Sequence, residues 1–353
     1  MTLRVGLTYS LKKQPDVNEG LPEDFYIEFD DEETVDAIAG ALKNCGCRVT
    51  RIEADENAYI KLRRLKPHIV FNIAEGLRGE SRESQIPAIL EMMGIPYTGS
   101  GPLTLAIALN KALTHQLLSI NGVPSPSFQV FTRDDEELDE EMSFPLVIKP
   151  LSEGSSKGVR SSSLVNDEEA LRNQLSWVTR TYKQPAIAEQ FLPGREFTVG
   201  LIGNDDPTIL PIVEILLDEL PSGAAPLYSY EAKWIWDVPE EPLEIFRCPA
   251  DTSEELEHEI ERLAIRAFIV LGCRDLCRID MRLDDDGEPR VLEVNPLPGL
   301  IPDPRAHSCL PEAARAAGLS YDQLICSILW HALRRYEMQN LLETSWHQKK
   351  ERT

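Results

Sequence analysis

The chain has 353 residues, 42% hydrophobic and 27% charged, enough for two or three domains that each build a core. Its 36 Lys and Arg stand against 59 Asp and Glu, a net charge of −23. That field opposes nucleic-acid backbones and anionic lipid, but leaves room for a small anion in a local basic pocket. No apolar run approaches the roughly 20 residues of a membrane span. The first residues lack a signal peptide's apolar stretch and small-residue cleavage site.

Strand-like and helix-like patterns alternate in the first third. Strands are predicted over 4–8, 47–52 and 68–73, and helices over 33–44 and 83–93. Gly94-Ile95-Pro96 stops the second helix, because Gly suits its C-terminal cap and Pro cannot continue it. This alternation predicts a parallel sheet covered by helices. The polar, proline-bearing stretch 11–31 reads as a long loop. The seven cysteines, Cys45, Cys47, Cys248, Cys273, Cys277, Cys309 and Cys326, sit mostly in apolar segments. They read as small buried hydrophobes in a reducing cytoplasm.

Thr98-Gly99-Ser100-Gly101-Pro102 marks a domain boundary, followed by helical spacing over 103–120. A short strand at 144–149, a Gly/Ser loop at 152–158 and a strand at 160–164 follow. Asn166 reads as a helix cap, with Glu169 in the capping-box position. Strands 186–191 and 196–202 flank a Pro193-Gly194 turn. Thr252-Ser253-Glu254-Glu255 opens a helix with the apolar stripe Leu256, Ile260, Leu263, Ala267, Phe268 and Leu271. Strands 276–283 and 290–294 flank Asp284-Asp285-Asp286-Gly287, a hairpin signal. A last helix, 321–338, buries Leu324, Ile325, Ile328, Leu329 and Leu333, and the chain after Asn340 reads as a frayed polar tail.

Two constellations carry chemistry. Side chains alternate faces along a strand, so Ile279, Met281 and Leu283 share one face of the hairpin and Arg278, Asp280 and Arg282 the other. On the return strand Leu292 and Val294 take the apolar face, leaving Glu293 and Asn295 opposite. Asp280, Glu293 and Asn295 therefore converge as hard oxygen donors of the kind Mg²⁺ takes, with Arg278 beside them to hold an anion. A solvated polar face is the plain alternative, but the stiff turn Asn295-Pro296-Leu297-Pro298-Gly299 weighs against it. The second constellation is Lys149 at a strand end before the Gly/Ser loop, whose N–H groups can cradle phosphate. The Gly154-Ser155-Ser156-Lys157-Gly158 match to a nucleophile elbow is discounted, since a strand rather than a helix is predicted next; a flexible hairpin is the plain reading. The six histidines are isolated and the cysteine spacings suit no zinc site. Trp234 and Trp236 read as packing residues.

Together these pieces resemble the D-alanine–D-alanine ligase family of the ATP-grasp superfamily. The matching stretches run collinearly from Arg4 to Leu333. They are Gly94-Ile95-Pro96-Tyr97-Thr98-Gly99-Ser100-Gly101, Asn110-Lys111, Lys149-Pro150 with Glu153-Gly154-Ser155-Ser156, and 189–199 from Glu189 through Gly194-Arg195-Glu196. Tyr228-Ser229-Tyr230-Glu231-Ala232-Lys233, Cys277-Arg278-Ile279-Asp280 and 292–299 complete the set. The resemblance implies an α/β, three-domain ATP-grasp fold: an N-terminal parallel-sheet domain (1–102), a central α+β subdomain (103–198), a C-terminal α+β catalytic subdomain (199–340) and a polar tail (341–353). It implies ATP and two Mg²⁺, with Mn²⁺ an alternative, small amino-acid substrates, a cytoplasmic homodimer and a place in cell-wall synthesis, with no nucleic-acid or membrane partner.

By the same resemblance Lys111 and Lys149 contact ATP phosphates, and the loop carrying Glu153, Ser155 and Ser156 closes over them. Glu189, Gln190, Phe191 and Leu192 line the adenine pocket, Glu196 meets the ribose, and Lys233 comes from a mobile loop onto the phosphates. Asp280, Glu293 and Asn295 bind the metal ions. Arg278 and the Gly299 backbone stabilise the oxyanion, and Ser155 and Ser308 place the amino acids. A carboxylate attacks the γ-phosphate to give an acyl phosphate, which an amine then attacks. The departures fall on the substrate pocket. The family's His-Gly after the third strand is replaced within Asn72–Gln85, where Glu75, Arg82 and Glu83 are extra charges. Its Tyr after the loop lysine is Trp234, which removes a phenolic hydrogen bond. The N-terminal substrate-binding Glu has Glu28, Glu32 and Glu33 as candidates, and the usual Ser-Leu is Ser308-Cys309. D-alanyl-D-alanine is the leading product, a natural-product ligase with another acceptor the near alternative, and a non-catalytic nucleotide-binding regulator the alternative of another class.

Overall fold

A computed structural model describes residues 2–13, 20–238 and 241–342. The first unit contains β1 (Arg4–Tyr9), α1 (Glu32–Asn44), β2 (Arg48–Glu53), α2 (Ala58–Leu65), β3 (Ile69–Ile73) and α3 (Gln85–Met93). Its strands form the expected parallel sheet in the order β2-β1-β3, with helices on both faces. Asp31 caps α1 by accepting the Thr34 N–H at 2.8 Å, and Val35, Ile38, Ala39 and Leu42 face inward. Helix α2 escaped the sequence pattern because it buries only Ala58 and Leu62 and has no side-chain cap. Helix α3 starts later than predicted, since Arg82–Ser84 form a 3₁₀ turn. Gly94 ends it in the left-handed region, as expected.

The second unit runs through α4 (Pro102–Leu109), α5 (Lys111–Ile120), β4 (Phe128–Phe131), β5 (Leu146–Pro150), β6 (Leu164–Val165), α6 (Glu168–Tyr182) and β7 (Ala186–Gln190). The single helix predicted over 103–120 is two. Asn110 breaks it, being extended and accepting the Leu113 N–H at 3.0 Å as the cap of α5. The predicted strand at 160–164 is a 3₁₀ turn at Ser161–Ser163 and the two-residue β6. Asp167, not Asn166, caps α6 through the Ala170 N–H at 2.8 Å. The antiparallel sheet order is β4-β7-β5-β6, and α6 covers it.

The third unit contains β8 (Glu196–Gly203), β9 (Thr208–Ile209), β10 (Val213–Ile215), β11 (Phe246–Arg247), α7 (Glu254–Leu271), β12 (Asp275–Leu283), β13 (Pro289–Asn295), α8 (Cys309–Ala316) and α9 (Tyr321–Arg335). Its sheet is ordered β11-β10-β8-β12-β13, with β9 paired to β8. Strand β8 enters at Glu196, so the division expected after 198 falls inside a strand. Ser253 caps α7, whose predicted stripe is buried except for the half-buried Leu256. Helix α9 buries the predicted residues but ends at Arg335. Beyond Asn340 the chain is not loose at once, because Leu342 is 2% exposed in the core; the predicted tail from 343 lies outside the described residues.

The units share cores, which fixes how they face one another. One apolar cluster joins α1, β1 and β3 to α8 and α9, and another joins Leu118 of α5 to α7, β8, β12 and β13. Buried Asp275 accepts from Arg335 Nη2 at 2.7 Å and from the Gly99 N–H at 2.8 Å. Cys45, capping α1, and Cys326 of α9 form a disulfide across 281 residues of chain. These two are therefore not the lone buried thiols expected from sequence, while the other five cysteines are free. Among the described residues no helix is long and apolar enough to cross a membrane.

Candidate active site

A cleft of about 480 Å³ lies where the second and third sheets face each other, closed on one side by the N-terminal unit. The residues given site roles from the sequence line it, and of the three candidates for the N-terminal substrate-binding Glu only Glu28 does, since Glu32 and Glu33 are exposed on α1. The hairpin geometry is as predicted at its centre: Asp280 pairs with Glu293 and Arg278 with Asn295 across β12 and β13. A bulge after Asp280 disrupts the alternation beyond. It makes Leu292 the extra residue, so Leu292 faces the cleft instead of joining Val291 and Val294 in the core.

Asp280 accepts from Arg278 Nε at 2.9 Å and Nη2 at 2.8 Å, from Thr198 Oγ1 at 2.5 Å and from Asn295 Nδ2 at 2.9 Å. Glu293 pairs with Lys111 Nζ at 2.7 Å. Burial pushes the Glu293 carboxyl up, but Lys111 and Lys149 outweigh it and hold it at about 2. The carboxylates of Asp280 and Glu293 and the amide oxygen of Asn295 are a hard donor set that fits Mg²⁺, with water and phosphate oxygens completing its shell.

Lys149, at the end of β5, lies 2.8 Å from Glu189 Oε2 on β7, and His115 Nε2 lies 3.0 Å from the other Glu189 oxygen. Burial raises the Glu189 pKa, yet Lys149 and His115 bring it down to about 2. His115 was missed in the sequence; its signal was its place on the inward face of α5 beside Lys111, Thr114 and Leu118. Gln190, Phe191 and Leu192 continue from Glu189 along the cleft wall. Glu196 opens β8 beside Arg282, whose guanidinium also stacks 4.8 Å over Phe191.

The Gly/Ser loop turns with Ser155 and Ser156 both at positive φ, 52° and 59°, and bears on both neighbouring units. Ser156 Oγ donates to the Tyr228 carbonyl at 2.9 Å. Trp234 Nε1 donates to the Ser155 carbonyl at 3.0 Å. The indole N–H thus gives this position a hydrogen bond of its own to the Gly/Ser loop. The Glu153 carboxylate points to Arg82 at 3.0 Å, Lys157 at 2.6 Å and Gln184 at 2.8 Å; its carbonyl oxygen accepts from Lys111 Nζ. Lys233 has no ion pair among the described residues, and burial, with Arg278 nearby, lowers its pKa.

Ser308 Oγ donates to the Gly299 carbonyl at 2.9 Å, while the Gly299 N–H has no acceptor among the described residues. Asp237, closing the Lys233 segment, holds His307 Nδ1 at 2.7 Å, and the His307 ring stacks on Phe246. This pair, invisible in the sequence because 70 residues separate its members, ties the loop of Lys233 and Trp234 to the loop of Ser308.

On the N-terminal side, Glu28 is fully engaged by Arg82 at 3.0 and 3.1 Å and by Lys157 at 2.7 Å. Gly76, at φ +81°, allows the turn after Glu75, since a Cβ there would strike the Arg82 carbonyl. Glu83 is 9% exposed, and burial raises its pKa to about 7. Above the ordinary carboxyl pKa the unfolded state gives up this proton first, so ionisation weakens the fold between pH 4.5 and about 7. Glu83→Gln is expected to stabilise the unliganded protein by roughly 1–3 kcal/mol at pH 8 and by nothing measurable at pH 4. Urea midpoints at the two pH values check this; an equal shift at both refutes it.

A family model described as D-ala D-ala ligase C-terminus matches residues 117–330. An uncharacterized protein of Sinorhizobium fredii is 38% identical over 309 residues, 85% of this chain and 88% of that one. The D-alanine–D-alanine ligase of Pelotomaculum thermopropionicum is 33% identical over 302 residues, 83% of this chain and 88% of that one. The crystal structure of D-alanine–D-alanine ligase from Bacillus anthracis complexed with ATP matches in fold, with a TM-score of 0.71 and 23% identity, covering 95% of this chain and 99% of that one. With its parallel-sheet unit and its cleft between two antiparallel sheets, this chain is an ATP-dependent ligase of the ATP-grasp class. It belongs to the D-alanine–D-alanine ligase family.

Proposed function

We propose that the chain transfers the γ-phosphoryl group of ATP to the carboxylate of one amino acid and couples the acyl phosphate to the amine of a second. D-alanine is the reference substrate for both positions. The observation that carries this reading is the pairing of Asp280 with Glu293 and Arg278 with Asn295 at the wall that also holds Lys111 and Lys149. It is what phosphoryl transfer between anions demands: positioned cations and hard metal ligands around one point. It also favours catalysis over a purely regulatory nucleotide site, which has no need of the Arg278 and Gly299 N–H donors.

In this reading Lys111, Lys149 and Lys233 hold phosphate oxygens, and Glu189 to Leu192 with Glu196 take the nucleoside. Asp280, Glu293 and Asn295 hold Mg²⁺, which supplies charge neutralisation at the phosphates when bound. Arg278 and the Gly299 N–H face the oxyanion formed when the amine attacks. The Ser155–Trp234 contact lets the two loops close together and keep water from the acyl phosphate. Ser155 and Ser308 place the amino acids. For the domain division we propose the N-terminal unit up to 102, then a passage from the central to the C-terminal unit at the Pro193-Gly194-Arg195 turn, where β8 begins.

Phosphate release with ATP and a panel of amino acids tests the reading; no release with any of them rejects it. Lys149→Ala removes a cation from a buried position where charge-assisted contacts are worth about 1.5–3 kcal/mol each. It is expected to weaken ATP binding or slow phosphoryl transfer at least about tenfold. Unchanged ATP titrations and unchanged rates would take Lys149 out of the site.

A further inference from the structure

The cleft end against the N-terminal sheet has more carboxylates than the protein itself neutralises. Glu28 and Glu153 are the two that are paired there, sharing Arg82 and Lys157. Glu75 and Glu83 line the same space and make no hydrogen bond or ion pair among the described residues. Asp30 lines it too, without a side-chain hydrogen bond, opposite Lys12. Glu83 is nine-tenths buried. It nonetheless lines the cleft, so it borders whatever occupies that space.

Burying a carboxylate without a partner is costly, and a protein ordinarily pairs it or neutralises it. Here burial drives all three acids upward, Asp30 to about 8, Glu83 to about 7 although Arg82, Lys111 and Lys157 pull the other way, and Glu75 well above its ordinary value with Glu28 and Glu83 adding to it. Despite those cations, Glu75 and Glu83 have no ion-pair partner of their own among the described residues. One α-ammonium group satisfies one such carboxylate. Two glutamates without an ion pair bordering one cleft, with Glu28 already committed to Arg82 and Lys157, call for more cation than that.

We propose that the amino acid seated against the N-terminal sheet is a diamino acid, with Glu75 and Glu83 receiving its second ammonium group. This rests on the ligase reading above and narrows it to a substrate class. The chemistry excludes acidic side chains at this position, which would add to an uncompensated negative field, and gives no advantage to a plain aliphatic one. Arg82 and Lys157, by holding Glu28 and Glu153, keep the remaining acids from collapsing onto the loop and so leave them facing the ligand.

The test is steady-state phosphate release by the full-length protein with ATP, Mg²⁺ and single or paired amino acids. The panel is alanine, 2,3-diaminopropionate, 2,4-diaminobutyrate, ornithine, lysine and glutamate, each as both enantiomers. At least one diamino acid is expected to exceed alanine tenfold or more in kcat/KM. The double variant Glu75→Gln/Glu83→Gln is expected to lose at least tenfold more on that diamino acid than on alanine. Glu83→Gln alone, which removes a buried unpaired charge and so leaves the fold secure, is expected to move in the same direction. A wild type that prefers alanine overturns the inference and leaves the ligase reading standing. Equal losses on all substrates in the variants also overturn it, because a structural role alone would do that. No release with any amino acid overturns both readings.

Discussion

Replacing Glu293 by Gln is expected to abolish ATP-dependent phosphate release in a protein that still folds. The side chain keeps its shape, so the β12–β13 pairing survives. What is lost is an ionised ligand facing Asp280 and the counter-charge 2.7 Å from Lys111. Losing a metal ligand and misplacing a phosphate-facing lysine together remove several kcal/mol of transition-state stabilisation, so the rate is expected to fall by about 10³ or more. The melting temperature drops as well, since Lys111, only 5% exposed, is left without its partner. Phosphate release and thermal melting on the same preparation check both parts. A folded variant that consumes ATP at a near-normal rate removes Glu293 from the metal site.

Arg278→Lys is expected to lower kcat by roughly 10²-fold while leaving ATP affinity nearly unchanged. The guanidinium binds Asp280 with two nitrogens and lines the cleft near the Gly299 N–H. A lysine keeps the positive charge that Asp280 requires, so the fold is protected, but it loses the planar fork that holds one geometry. Losing an oxyanion donor typically costs about 10²–10³ in kcat. The loss appears in the saturated rate because the arginine meets charge that develops only during reaction. An unchanged kcat in the lysine variant refutes the role, as does an effect confined to the KM for ATP.

The segments around this site differ in how much of their behaviour is local. The stripe of α7 and the stop at Gly94 depend on neighbours within one or two helical turns, and the chain realises them nearly as predicted. So does the β12–β13 hairpin up to Asp280. Leu292 departs from its predicted face because a bulge after Asp280 inserts one residue and resets the alternation. Asn110 divides a helix that apolar spacing alone runs straight through, since a cap is a backbone event that hydrophobic periodicity does not register.

What the sequence by itself determined is the order of the elements, the oxygen-donor face of the hairpin and the set of side chains around the cleft. The first two follow from alternation and spacing along short stretches of chain, and the third from the resemblance to the ligase family. Only the tertiary structure decided which charges are already spent. Glu28 and Glu153 are paired with Arg82 and Lys157, Glu189 with Lys149 and His115, and Asp237 with His307, while Glu75 and Glu83 have no such partner among the described residues. The members of most of these pairs lie tens of residues to more than a hundred apart, so no local pattern encodes them. The energy of a buried carboxylate depends on what stands within a few ångströms of it, and that is fixed only when the three units close on one another.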